Sequence, residues 1–347
     1  MTVDNRTTSA PVIHGRATAA VTREASTGIA HHLIHRPSPR AYFALDAPSP
    51  GEEHFTLVGE TPVAHPLFND GPGHFHDLQI ATGTVREVGE LVGHRYFGVP
   101  EDRPGLFYRF ALDLTDLSAW RTDPAGGPPV IMETAIRARP ANVVAEVPRG
   151  LDFHLDVRID GRSCATGSAG MVFLMPKLYR KHVAHAREAM RAVPELGDAP
   201  DGPPRPADAD EVSRHAEGNV VISEPTDASR GRISTWVLSA PVSPVFDDAD
   251  EGPRGQFSGL HLLEALRQSS LLTAGRAHGL EPARSTLGAC QVHFRGQAAR
   301  DLPLRCVAVA GPLGRDAEGR PTVPVTLTLT QQRWAVAEAR TSVVQDY

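Results

Sequence analysis

The chain has 347 residues, of which 41% are hydrophobic and 22% charged, a balance typical of a globular protein with room for two domains. Its formal net charge of −6 argues against general nucleic-acid binding, which needs a basic surface. No apolar run approaches the roughly 18 residues of a membrane span, and Cys164, Cys290 and Cys306 are too few and too widely spaced for a disulfide scaffold or a Cys-rich zinc site. We therefore expect a cytoplasmic protein that binds neither nucleic acid nor a membrane.

The chain divides into two segments with similar patterns. Residues 1–27 are small and polar, without the features of a secretory signal, and are predicted to form a disordered tail. Residues 28–191 are predicted to be a first α+β module, and residues 213–347 a second. Residues 192–212 are rich in Pro, Asp and Ala without apolar periodicity, which predicts a linker.

A central helix is predicted in the first segment, at residues 74–94. Its apolar residues recur at helical spacing: Leu78, Ala81, Val85, Val88 and Val92. Gly83 lies near the middle, where a glycine costs about 1 kcal/mol relative to alanine. Strands are predicted to follow this helix, because alternating or continuous apolar runs are separated by turns.

The second segment repeats this order of features. HPLFND at 65–70 corresponds to SPVFDD at 243–248, and each precedes a glycine-containing loop and a helix candidate. Aligned on Arg86 and Arg267, the two helices place Gly83 opposite Glu264. One helix with an antiparallel sheet, present twice, is the tandem hotdog arrangement, although the pattern alone also fits other α+β folds. The halves are expected to pack as a pseudo-dimer, because each would otherwise expose an apolar sheet face.

Both repeats resemble those of the A-factor (γ-butyrolactone) biosynthesis family. In the first, the family's His-Asp, Thr-Val-Arg, His and Gly-Val-Pro elements match residues 76–77, 84–86, 94 and 98–100 without a gap. In the second, residues 243–268 match and include the family's Leu-Leu-Glu-Ala-x-Arg-Gln stretch. The first repeat departs at Gly83, where the family usually has glutamate, and at Glu87, where it has glutamine.

The resemblance implies an acyltransferase with the tandem hotdog fold. It would move a β-ketoacyl group from an acyl carrier protein to the hydroxyl of dihydroxyacetone phosphate. The product would lead to a butenolide, γ-butyrolactone or furan signal that controls antibiotic production. No cofactor or metal is expected, and the protein would be a monomer with an internal pseudo-dimer or a homodimer.

The second helix carries the candidate catalytic residues. Glu264, Arg267 and Gln268 lie three and four residues apart and therefore share one helix face. The Glu264 carboxylate can take the proton of an attacking hydroxyl if burial raises its pKa, and the Arg267 guanidinium suits a phosphate. The alternative is an ordinary ion pair on the helix surface.

Other substrate contacts are predicted around this helix. The backbone amides of Gly259 and Leu260 are candidate oxyanion donors, with Ser258 as the helix cap. His261 is either an acid–base group or substrate contact, or a partly exposed first-turn histidine. Arg86 and Gln268 are further substrate-binding candidates. Cys290 and Cys306 fit apolar strands and are predicted to be core residues.

Two questions stay open on sequence grounds. The first concerns the basic run Lys177, Arg180, Lys181, Arg187 and Arg191, which either docks an acidic carrier protein or is a solvated helix face. The second concerns the reaction. Hotdog proteins also include acyl-thioester hydrolases and hydroxyacyl dehydratases, and Gly83 raises the alternative of a degenerate, non-catalytic acyl-binding module.

Overall fold

The computed structural model describes residues 44–46, 53–61, 65–123, 129–181, 184, 188, 202–229, 231–240, 242–246 and 255–347. Side chains are included except at 44–46, 83–87 and 227–228, so Gly83 and Arg86 are placed in a helix by their backbone alone. The predicted tail at 1–27 and residues 192–201 of the predicted linker lie outside the described residues, as do Arg187 and Arg191 of the basic run.

Thirteen strands in the described part of the chain form one sheet, in which every pairing is antiparallel. The first module contributes β1 (Ala44–Asp46), β2 (His54–Glu60), β3 (Gly105–Leu114), β4 (Ile131–Val144), β5 (Val147–Ile159) and β6 (Arg162–Phe173). The second contributes β7 (Asp227–Ser229), β8 (Arg232–Val237), β9 (Ser285–Phe294), β10 (Leu304–Ala310), β11 (Gly314–Arg315), β12 (Pro321–Gln331) and β13 (Trp334–Gln345).

The sheet has an internal pseudo-two-fold arrangement. Outward from its centre the strand order is β3-β6-β5-β4-β2-β1 on one side and β9-β13-β12-β10-β8-β7 on the other. The halves meet where β3 pairs with β9, with Phe110 opposite Val292 and Leu112 opposite Cys290. The tandem hotdog prediction and its pseudo-dimer are therefore confirmed. The reason expected for the pseudo-dimer, that each module covers an apolar sheet face of the other, is corrected: the modules join at strand edges.

The central helix of each module lies against its own half of the sheet. Helix α1 (Gln79–Tyr96) contacts β3 and β5, and a short helix α2 (Leu117–Trp120) follows β3. Helix α3 (Gly259–His278) contacts β8, β9, β10, β12 and β13, and it also contacts α1. This contact between the two long helices brings residues of both modules close to one point.

Helix α3 starts where its sequence predicts and ends at His278. Ser258 is the N-cap, with its Oγ accepting from the His261 amide at 3.2 Å, which confirms the predicted cap. Gly279 ends the helix in the left-handed region at φ 74°, and its amide donates to the Gly275 carbonyl at 2.7 Å. Most of the helix is buried, so it is a core helix and not a surface amphipathic one.

Helix α1 begins later than the predicted residue 74 and ends beyond residue 94. The Asp77 carboxylate accepts from the Gln79 amide at 2.8 Å and thereby marks the start. A glycine with a packing role occurs further along: a Cβ on Gly89 would lie 2.6 Å from the Met171 Cε and 2.8 Å from the Phe107 Cζ, so a larger residue there would require both side chains to move. Sequence periodicity did not distinguish it from Gly83.

The end of the predicted linker packs on the second module. Ala207 and Val212 are buried, the Ala207 amide donates to the Ile222 carbonyl at 2.9 Å, and residues 210–212 form a 3-10 turn. The module boundaries themselves stay a prediction. Among the helices of the described ranges, none has the length and apolar character needed to cross a membrane.

Candidate active site

Glu264 lies in the second turn of α3 and has a fully buried side chain. Its Oε1 accepts from the Arg214 Nε at 2.9 Å, the Arg267 Nη2 at 2.8 Å and the Gln268 Nε2 at 2.7 Å. Its Oε2 accepts from the Arg267 Nε at 3.0 Å and, at 3.3 Å, from the Gln79 Nε2. A carboxylate with this many donors has its orientation set by the protein.

Arg214 is the member of this cluster that sequence reasoning missed. It follows a left-handed residue, Ser213, at the end of the 3-10 turn, and its side chain is 1% exposed. Besides Glu264, its guanidinium lies 2.8 Å from the Asp77 Oδ2 and donates to the Leu67 carbonyl at 2.8 Å. Nothing in apolar periodicity marks such a residue. The family's His-Asp element was the available hint that a buried partner for Asp77 exists.

The first module supplies two side chains to this cluster, one just before α1 and one in its first turn. Asp77 pairs with Arg214, and Gln79 donates to Glu264. The Gln79 side chain is oriented by Thr82, whose Oγ1 donates to the Gln79 Oε1 at 2.8 Å. The candidate site is therefore built at the junction of the two modules and needs both.

Gln268 connects the cluster to the segment that carries Arg214. Its Nε2 donates both to Glu264 and to the Asn219 carbonyl at 2.7 Å, while its Oε1 accepts from the Val221 amide at 2.9 Å. Asn219 in turn donates to the Asp70 Oδ2 at 2.7 Å. These bonds make Gln268 a residue that orients protein groups, and its predicted contact with substrate stays a prediction.

The charges around Glu264 determine its protonation. Burial by itself would raise the pKa of Glu264, but the Arg214 and Arg267 guanidiniums outweigh burial and hold this pKa well below its ordinary range. The condition stated above for a base, that burial raises the pKa of Glu264, is therefore not met in this arrangement. Burial also disfavours the charge of Arg214, yet Glu264 and Asp77 raise its pKa overall.

Arg267 forms the outer side of the cluster. Its side chain is 12% exposed, and its Nη2 also donates to the Val212 carbonyl at 3.1 Å. Because Glu264 beneath it is fully buried and holds a second guanidinium, the pair is not the ordinary surface ion pair considered above.

The start of α3 lies one turn before Glu264. Gly259 is exposed, and a Cβ there would meet no atom within 4 Å, so open space lies beside this residue. Leu260 is 8% exposed. The role of these two amides as oxyanion donors stays a prediction.

His261 is fully buried, which contradicts the alternative of a partly exposed first-turn histidine. Its ring lies between the rings of Phe246 and Phe257, at centroid distances of 5.0 and 4.9 Å. Its Nδ1 lies 3.5 Å from the Arg300 Nη2. The same face of α3 therefore carries an imidazole one turn before the carboxylate.

The cysteines do not take part in this site. Cys290 and Cys306 are buried in strands, and burial raises the pKa of each thiol to about 12. They are core residues, as predicted, and not nucleophiles. Within the described ranges no group of three or more His, Cys, Asp or Glu residues forms a metal-binding cluster.

The fold and the cluster together define a tandem hotdog protein with a buried Arg–Glu site between its modules. The chain belongs to the family of the A-factor biosynthesis hotdog domain, whose model matches residues 17–175 and 197–345.

Two similar relatives are both named 2-oxo-3-(phosphooxy)propyl 3-oxoalkanoate synthase. The protein of Streptomyces coelicolor is 26% identical over 71% of this chain and 72% of its own length. That of Streptomyces griseus is 26% identical over 75% of this chain and 78% of its own length. A solved structure described as an oleoyl thioesterase from Lactobacillus plantarum has 12% identity and a TM-score of 0.50, covering 85% of this chain and 97% of that one. This likeness concerns the fold alone.

Proposed function

We propose that the protein is an acyltransferase that moves a β-ketoacyl group from an acyl carrier protein thioester to the hydroxyl of dihydroxyacetone phosphate. The relatives' name describes such a product, a 3-oxoalkanoate ester of a phosphorylated three-carbon alcohol. The observation that carries the proposal is the cluster at Glu264, where one carboxylate and two guanidiniums meet within hydrogen-bond distance at the module junction.

The proposed reaction uses Glu264 as the proton acceptor. The hydroxyl oxygen attacks the thioester carbonyl carbon while its proton passes to the Glu264 carboxylate. The carbon–sulfur bond then breaks, and the carrier thiolate takes the proton back from Glu264. The Gly259 and Leu260 amides stabilise the negative oxygen formed in between, because the first turn of a helix has amides without intrahelical acceptors.

Arg267 and the remaining candidates have supporting roles in this proposal. The Arg267 guanidinium binds the phosphate of the alcohol, for which its planar fork is suited. His261 and Arg86 are proposed as further substrate contacts, and Gln268 as the residue that orients Glu264. Condensation and later reduction of the ester would lead, in the cytoplasm, to a butenolide or γ-butyrolactone signal that controls antibiotic production.

The carrier protein would approach over the basic segment that follows β6. Residues 176–181 are helical, and Lys177, Arg180 and Lys181 are exposed. Met175 and Leu178 are exposed beside them, at 56% and 55%. A basic surface with exposed apolar side chains is complementary to an acidic carrier protein.

One assay tests the reaction class. The protein is incubated with a β-ketoacyl carrier-protein thioester, with and without dihydroxyacetone phosphate, and the products are identified by mass spectrometry. Transfer predicts thiol release and a phosphorylated ester that depend on the alcohol. Thiol release that ignores the alcohol would identify a thioesterase. A parallel incubation with a β-hydroxyacyl carrier-protein thioester tests for a dehydratase, which would release water. No turnover of either thioester would favour a binding module. When variants of Glu264 or Arg267 are assayed in this way, Arg276→Gln is their control, since Arg276 lies on α3 but pairs with Glu211 at the surface.

A further inference from the structure

The two guanidiniums that hold Glu264 differ in what surrounds them. Arg214 is enclosed by protein: it contacts Glu264, Asp77 and the Leu67 carbonyl, and 1% of its side chain is exposed. Arg267 holds the same carboxylate through its Nε and Nη2 but is 12% exposed, and its further bond goes to the Val212 carbonyl at the end of the 3-10 turn. One cation is enclosed, and the other lies between Glu264 and solvent.

We propose that Arg267 is a substrate-operated cover on Glu264: the phosphate of the alcohol draws the Arg267 guanidinium away, which both uncovers the carboxylate and allows it to accept a proton, while Arg214 stays as the fixed counter-ion joining the modules. The proposal rests on the acyltransferase function above. It adds how a buried, doubly paired carboxylate becomes a base, and it makes Arg214 a positioning residue.

The charges at this point support the proposal that Arg267 leaves Glu264 for the phosphate. Among the described residues, Glu264, Asp77, Arg214 and Arg267 form the ion pairs at this point, two negative and two positive, and the Asp70 carboxylate lies further out, bonded to Asn219. Gln79 and Gln268 are neutral donors, and the His261 ring packs against two phenylalanines. When Arg267 turns to the phosphate, Arg214 is shared between two buried carboxylates. The remaining negative charge favours uptake of one proton.

The movement of Arg267 also gives the substrate access to Glu264. Glu264 has no exposed surface while three hydrogen bonds from Arg267 cover it. The donors that remain after the exchange are Arg214, Gln268 and Gln79, so the carboxylate keeps its orientation. The incoming phosphate adds negative charge nearby, which further favours the protonated form. Binding of the correct alcohol is therefore linked to the appearance of the base.

The test measures the protonation of Glu264 without requiring turnover. The full chain is labelled with carboxyl-13C glutamate, and the Glu264 resonance is identified by its loss in Glu264→Gln. It is titrated from about pH 8 downward as far as the protein stays folded. The probes are dihydroxyacetone phosphate, inorganic phosphate, unphosphorylated dihydroxyacetone, and sodium chloride at matched ionic strength.

Without ligand, and with dihydroxyacetone or sodium chloride, the Glu264 resonance should stay that of a carboxylate down to the lowest pH at which the protein is folded. With dihydroxyacetone phosphate or inorganic phosphate, protonation of Glu264 should begin within the folded range, because its pKa rises. Arg267→Met should show the raised pKa without any ligand and respond no further to phosphate, whereas Arg276→Gln should titrate like the unmodified protein. Circular dichroism and melting temperature establish that each variant is folded.

Two results would overturn the proposal: a Glu264 pKa that does not respond to either phosphate compound, or a sodium chloride effect equal to that of phosphate. Comparison with the mass-spectrometric assay separates the two proposals. Acyl transfer without a change in pKa would refute the cover and leave the transferase standing. A change in pKa without acyl transfer would refute the transferase and leave a phosphate-responsive site.

Discussion

The starts of the two central helices are equivalent in the fold but carry different chemistry. At α1, the Asp77 carboxylate just before the helix accepts from the Gln79 amide and is paired with Arg214. At α3, the neutral Ser258 hydroxyl caps the first turn, and the carboxylate comes later, at Glu264. The alignment of the repeats places Gly83 at the position of Glu264. The first module thus supplies supporting groups and the second supplies the candidate base.

This difference shows how a duplicated fold can make one site from two frameworks. Two equivalent buried glutamates would each require counter-charges that are costly to bury. In this chain a single cluster uses Asp77 and Gln79 from one module and Glu264, Arg267 and Gln268 from the other, with Arg214 joining them. Its four charges balance.

The largest expected effect tests whether the second helix alone holds the base. Glu264→Gln keeps the shape of the side chain but removes its proton affinity, so we expect acyl transfer to fall by about 10²–10⁴-fold. The rate is measured with the thioester assay, alongside a melting curve. Unchanged transfer in a folded variant would move the catalytic base elsewhere.

The next prediction concerns the ion pairs that Arg214 forms between the two modules. Arg214→Met leaves Glu264 and Asp77 close together with Arg267 as the remaining cation, so we expect a loss of about 3–5 kcal/mol in the free energy of unfolding. Urea unfolding measures it. Arg214→Lys should recover only part, because lysine lacks the planar fork that reaches both carboxylates. If the unmodified protein, Arg214→Met and Arg214→Lys are equally stable, Arg214 does not hold the two modules together.

A second set of contacts between the modules, formed by Asp346, should contribute less to stability. Asp346 accepts from the Arg121 Nη2 at 2.7 Å and bonds the His74 Nε2 at 3.0 Å, linking the end of the chain to the first module. Burial opposes the charge, yet the Arg121 and His74 bonds lower the pKa of Asp346 to about 2. Since this folded-state pKa lies below the unfolded one, the stabilisation is present above about pH 4 and is lost as the pH falls toward about 2.

Asp346→Asn should therefore cost about 1–2 kcal/mol near neutral pH, because charge-assisted hydrogen bonds are lost. It should also flatten the stability profile between about pH 4 and pH 2. Unfolding curves across this range measure both effects. A variant that loses stability equally at every pH would place the effect in packing instead of charge.

The smallest expected effect is the sharpest test of the one-site comparison. Gly83→Glu replaces a poor helix former by a good one, so we expect α1 and the protein to gain about 0.5–1 kcal/mol. Acyl transfer should stay unchanged if the second module alone carries the catalytic base. Gly83→Ala is the matched control for helix propensity. A sharp gain in turnover with glutamate alone would mean that two working sites are possible.

The sequence by itself determined the repeated order of elements and the stretch that carries Glu264, Arg267 and Gln268, while the hotdog class among α+β folds came from the resemblance to a family. These features are local or repeated: a helix face is set by spacing of three and four residues, a cap by one Ser, and a strand by its alternation. The resemblance to a family then gave an expectation for the reaction. The buried cysteines also followed from their apolar surroundings.

Only the tertiary structure decided how these residues are charged and what they touch. Arg214 lies 50 residues from Glu264 in the chain, and Asp77 and Gln79 belong to the other module, so no local pattern could bring them together. Burial alone would have raised the pKa of Glu264, and the guanidiniums reverse that direction. Protonation depends on distances of a few ångström between groups far apart in sequence, and these distances are set by the pairing of β3 with β9 and the contact of α1 with α3.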